Sequence, residues 1–179
     1  NNMKLAFKAA LFNTIVFILS ACTSAPEGIS PVKNFDLEKY QGKWYEIARL
    51  DHSFEQGMEQ VTATYSINDD GTVKVLNKGF ISKDQQWDEA EGLAKFVENT
   101  DTGHFKVSFF GPFYGAYIIF ELDQPDYQYA FITSYSKDYL WFLSRTPTVS
   151  KKLKQHFLSQ VKALGFATDE IIWVNQKAL

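Results

Sequence analysis

The chain is 179 residues long, 45% hydrophobic and 22% charged, with a formal net charge of −3. A chain of this size fits one domain, and its mild acidity, with no cluster of Lys or Arg, argues against nucleic acid as a partner. Cys22 is the sole cysteine, so no intramolecular disulfide can form and the core alone must hold the fold.

The first segment concerns export. Met3, Lys4 and Lys8 give a basic start, and Ala9 to Ala21 is mostly apolar and ends in small residues. That run suits the core of a signal peptide and falls short of the ~20 apolar residues that a membrane span needs. Residues 1–21 are therefore expected to be removed. Leu19-Ser20-Ala21-Cys22 resembles a bacterial lipobox, in which small residues admit the chain to the peptidase and the cysteine thiol takes a lipid. The resemblance implies acylation at Cys22, and two or more acyl chains anchor stably where one is marginal. Thr23, rather than Asp, implies an outer-membrane address, with the protein on the periplasmic face. Residues 22–33, with Pro26, Gly28 and Pro31 and no apolar periodicity, read as a linker. From Thr23 to Lys33 such a linker reaches at most ~36–40 Å.

Residues 34–179 make up the folded domain. Asp36 can cap a short helical turn, with Phe35 and Tyr40 placed as a hydrophobic staple. Gly42 can take the left-handed conformation that ends the turn. Turn residues then recur at the spacing of an all-β meander. The predicted strands are Lys43–Asp51, Gln60–Ile67, Thr72–Ile81, Trp87–Phe96, Phe105–Phe110, Ala116–Leu122, Tyr127–Ser134 and Tyr139–Arg145. Asp69-Asp70-Gly71 is a hairpin turn between the second and third. Eight strands are about what a small up-and-down barrel needs. Val149, Leu153, Phe157, Val161 and Leu164 then recur at helical spacing, with Thr148 or Ser150 to cap the start and Gly165 to end it. Ile171 to Val174 reads as a short final strand.

Alternation along the strands proposes an inner wall. It includes Tyr65 on the second strand, Phe105, Val107 and Phe109 on the fifth, and Tyr117 and Ile119 on the sixth. Tyr129, Phe131 and Thr133 on the seventh, and Tyr139, Trp141 and Leu143 on the eighth, continue it. Periodicity alone does not distinguish a filled core from a cavity. Phe109-Phe110-Gly111-Pro112-Phe113-Tyr114 is too aromatic for a solvated loop. Three readings fit it: a lip over a ligand, a tip dipping into a membrane, or a contact in a homodimer.

Gly42-Lys43-Trp44 at the first strand and Arg145 at the end of the last together resemble the lipocalin signature. Pro125-Asp126-Tyr127 keeps only part of a third family motif. With the lipobox and Lys106 to Gly115, the chain is similar to the bacterial lipocalins, the Blc outer-membrane lipoproteins, and more distantly to apolipoprotein D. The resemblance implies an all-β, eight-stranded antiparallel up-and-down barrel, with an N-terminal helical turn and one C-terminal α-helix outside. Gly42, Trp44 and Arg145 then have structural roles, the guanidinium lying across the indole. By position, Tyr65, Asn77, Tyr117, Trp141 and Leu143 are implied to touch a ligand. That ligand is a fatty acid or lysophospholipid, bound without a cofactor and in the service of membrane maintenance. A tetrapyrrole or other ring ligand, and a filled barrel that serves only interaction, are the competing expectations.

No catalytic or metal site is expected. His52, His104 and His156 lack metal-ligand spacing, and neither a phosphate loop nor a nucleophile elbow occurs. Glu89 and Glu91 share one strand face and, with Asn77, are candidates to orient a headgroup.

Overall fold

The computed structural model describes residues 23–110 and 113–177. The leader, Cys22, Gly111 and Pro112 lie outside the described residues, so the expectations of cleavage and acylation rest on sequence. A short helix, α1 (Leu37–Tyr40), precedes eight strands: β1 (Gly42–Leu50), β2 (Met58–Ile67), β3 (Val73–Ile81), β4 (Gln86–Phe96), β5 (His104–Phe110), β6 (Phe113–Leu122), β7 (Tyr129–Thr133) and β8 (Leu140–Ser144). Each pairs antiparallel with the next, and β8 and β2 both pair with β1, which closes the barrel. Helix α2 (Lys151–Ala163) and a ninth strand, β9 (Ile171–Trp173), follow.

The closed end is built by the residues that the sequence singles out. The Asp36 carboxylate accepts from the Glu38 amide at 3.0 Å, and the Phe35 and Tyr40 rings meet at 5.2 Å. Gly42 has φ +97°, beyond the comfort of a side-chain-bearing residue. Trp44 follows, fully buried, its indole N–H donating to the Tyr40 carbonyl at 2.9 Å. At the other end of the chain Ser150 caps α2 by accepting from the Leu153 amide. Phe157 and Val161 on α2 are fully buried against Phe131, Leu140 and Phe142 on the outer wall.

One feature departs from the sequence reading. Residues 26–33 do not stand clear of the barrel but lie along it. Val32 accepts from the Gly103 amide and donates to Ile119, both at 2.9 Å, and Ile29 is buried beneath the wall near α2. The His104 Nε2 lies 2.5 Å from the Thr23 carbonyl. Backbone bonds, which leave no periodic trace in side chains, dock this segment.

The short final strand expected over Ile171 to Val174 forms as β9, at the end of the sheet order and paired with β1. The wall is split where β2 leaves β1 above Tyr45, and β9 occupies the vacated side of β1 through Ala48, Arg49 and Leu50. The Gln176 side-chain amide bridges the split, donating to the Glu46 carbonyl at 2.7 Å and the Val61 carbonyl at 2.9 Å.

Candidate functional site

The interior has two chemically distinct halves. At the closed end lies a small void of about 10 Å³ bounded by Leu37, Tyr40, Tyr65, Val73, Ala94, Phe105, Val107 and Tyr117. Its polar atoms are three hydroxyls in a row. Tyr117 sits between Tyr40 at 2.6 Å and Tyr65 at 2.8 Å. Burial pushes all three phenols well up, so they remain neutral hydrogen-bonding groups. Below them Arg145 covers the Trp44 ring at 3.8 Å and donates to the carbonyls of Lys39, Lys43 and Tyr127. This is the stacked, carbonyl-satisfying role expected of Arg145.

Toward the open end the interior becomes charged. Glu46 and Arg49 are both only 2% exposed and pair at 3.2 Å. Arg49 also reaches Asp51 at 3.2 Å and donates to the carbonyls of Glu55 at 3.0 Å and Met58 at 3.3 Å. Arg49 thus ties down the β1–β2 loop from inside. The Glu55 carboxylate accepts from the Trp141 indole at 3.0 Å and lies 2.7 Å from His52 Nε2. Burial, and then the neighbouring Glu55 charge, push the Glu46 carboxyl well up. Burial also raises Glu55, but His52, Trp141 and Arg49 outweigh it and hold that carboxyl below its usual range. Among the described residues no group of three or more His, Cys, Asp or Glu is placed to hold a metal.

Most of the expected wall residues do face the interior. Tyr65, Val107, Tyr117, Ile119, Trp141 and Leu143 belong to the barrel core. Asn77, opposite Ala63 on β2, shares the strand face of Val73 and Val75. Phe131 does not belong there: it packs under α2, with its ring 4.9 Å from Phe157 and 5.1 Å from Phe142. Ala130 and Ile132 point inward in its place. The phase of β7 was inverted because the strand is buried on both faces, by the core and by the helix, so hydrophobicity does not alternate. Glu89 and Glu91 also point away from the cavity, pairing with Lys78 at 3.7 Å and Lys74 at 3.4 Å on the outside. Phe109, 37% exposed, stands at the margin of the interior, and Tyr114 lies over Lys95 and Lys106 on the outer wall.

The family model described as a lipocalin-like domain matches residues 35–176. The chain is a lipocalin. Lipocalins bind hydrophobic ligands, in keeping with the apolar base of this barrel. The outer membrane lipoprotein Blc of Vibrio cholerae serotype O1 is 50% identical over 160 residues, which cover 89% of this lipocalin and 94% of that protein. The Blc of Escherichia coli strain K12 is 47% identical over 165 residues, 91% of this chain and 93% of its own. Among solved structures, insecticyanin from the tobacco hornworm Manduca sexta superposes with a TM-score of 0.67 over 85% of this chain and 86% of its own. At 21% identity that likeness is one of fold alone.

Sequence reasoning missed the charged cluster of this lipocalin. The phase of Trp44 places Glu46 inward, so Glu46 was findable. Arg49 was not, because a bulge between Glu46 and Ala48 shifts the register and turns an off-phase residue into the barrel. His52 and Glu55 lie on a loop, where no periodicity applies.

Proposed function

We propose that this lipocalin is a lipid-anchored carrier that stores or transports fatty acids or lysophospholipids at the outer membrane, held there through acylated Cys22. The observation that carries the reading is the polarity gradient inside the barrel. An apolar base with three hydroxyls gives way to the Glu46, Arg49 and Glu55 cluster, the polarity profile of a single-chain amphiphile. Burying an acyl chain gains ~0.8 kcal/mol per CH₂, opposed by the cost of immobilising it. The cavity of about 10 Å³ at the base is far below the ~300–1,000 Å³ of ordinary ligand pockets, so an acyl chain that reaches it displaces the side chains that fill it. The role is binding, with no catalytic group assigned. Relatives of high identity are named outer membrane lipoproteins, which supports the anchored location.

The test is native mass spectrometry of residues 22–179 carrying Cys22→Ser, titrated with palmitate and with a lysophospholipid. Saturable binding, one per barrel or one per pair of barrels, is expected, and Tyr117→Trp should abolish it by filling the base. No complex at micromolar lipid would refute the reading, and a visible absorption band in the purified protein would point to a ring ligand instead.

A further inference from the structure

Residues 23–33 form a strap that is fastened to the closed end of the barrel. At its start the Thr23 carbonyl meets His104, the first residue of β5. At its finish Val32 bonds to Gly103 and Ile119. Lys33 then pairs with Glu98 at 3.8 Å, and its carbonyl accepts from the Gln124 side chain. The Phe35 amide, just before α1, donates to the Asp101 carbonyl at 2.9 Å, so the β4–β5 loop belongs to the same end as α1. A Cβ on Gly103 would come within 2.8 Å of the Val32 side chain, and the glycine in that loop thus makes room for the strap. Between the two ends Ile29 is buried in the outer core, and Ala25 packs against the same cluster. Held at both ends and in the middle, the strap has no slack.

The strap fixes where a lipid anchor starts. Cys22 is bonded to Thr23, and successive Cα atoms stand ~3.8 Å apart. Acyl chains on Cys22 therefore begin beside His104, at the foot of β5. The mouth lies at the other end of that strand. From His104 to Phe110 β5 covers ~20 Å at about 3.3 Å per residue, or ~15 Å of height once strand tilt is allowed for. In the closed order of β1 to β8, β5 also stands on the opposite side of the barrel from β1. The β1–β2 loop, with its exposed Phe54, is thus diagonally opposite the anchor. Arg49 pins that loop through the Glu55 and Met58 carbonyls, which prevents it from swinging down to close the distance.

We infer that the docked strap seats the closed end on the membrane that holds Cys22 and turns the mouth away from it. This inference rests on the anchored-carrier reading above. A free tether over the same residues, ~36–40 Å long when extended, would let the mouth touch down on its own membrane, and docking removes that reach. Cargo then meets the mouth from the aqueous side. The lipid it exchanges comes from outside the anchoring bilayer and is not drawn up from beneath the barrel.

The test uses the lipidated chain, purified from membranes and placed in nanodiscs whose lipid headgroups carry an energy-transfer acceptor. With Cys22 acylated, one new thiol takes the donor dye. It is either Thr100→Cys on the β4–β5 loop or Gln56→Cys on the β1–β2 loop, both exposed positions. Transfer should be about twofold or more stronger from position 100, given the ~15 Å of height between the two ends. A flexible ~20-residue Gly/Ser insert after Cys22 spans ~25 Å and leaves the strap docked, so the two labels should then transfer about equally. Equal or stronger transfer from position 56 without the insert would overturn the orientation. A difference that survives the insert would overturn the strap as its cause. Both results leave the carrier reading intact, whereas a chain that does not stay on the nanodisc would overturn the anchor and this inference together.

Discussion

Gly42 and Arg145 work as one joint, although 102 residues separate Lys43, next to Gly42, from the arginine that binds its carbonyl. A Cβ at position 42 would stand 3.3 Å from the Arg145 Nη1 and would have to adopt φ +97°. Gly42→Ala should therefore cost about 1–2 kcal/mol in urea denaturation. Arg145→Met should lose about 0.5–2 kcal/mol of stacking on Trp44, with a further loss from the three carbonyls left unmet. Both positions were legible in sequence because backbone geometry or stacking dictates the residue type. Glu55 predicts a pH response. Its folded carboxyl is held below its ordinary 4.5, so its contribution to stability is complete above about pH 4.5 and is lost as the pH falls through the folded value. Glu46, pushed up, acts in the opposite sense and eases the folded state as the pH falls. In Glu55→Gln the urea midpoint should fall less steeply between about pH 5 and 3 than in the parent chain.

At the level of elements, α2 braces the wall from outside the barrel. Phe157 is fully buried between the helix and Phe131. Phe157→Ala should cost about 3–5 kcal/mol while leaving lipid affinity unchanged in the variant that remains folded, the reverse of Tyr117→Trp. The eight strands and the helix were legible because turn residues and apolar periods bound them. The side to which a strand turns its residues was legible only where one face is dry and the other wet. On β3 that condition holds, with Val73 and Val75 inside and Lys74 outside. On β7 it fails, and Phe131 went to the wrong side. The bulge in β1 and the docking of residues 26–33 depend on backbone hydrogen bonds, for which side-chain patterns carry no signal.

Seen whole, the molecule is a barrel whose last strand is a seal. Removing residues 167–179 should strip the bonds at Ile47, Gln60, Glu46 and Val61, costing about 2–4 kcal/mol. It should also speed amide exchange on β1 from Glu46 to Arg49, measurable by hydrogen–deuterium mass spectrometry. The seal has a consequence in time. The side-chain bond from Gln176 to the Glu46 carbonyl spans 130 residues, and at ~5–20 residues per second the ribosome needs on the order of ten seconds to make that stretch. Until then the side of β1 that β2 leaves above Tyr45 has no partner, even after β8 has closed the barrel on the other side. A nascent chain therefore lacks its seal until the end of its synthesis, in keeping with the export proposed for it.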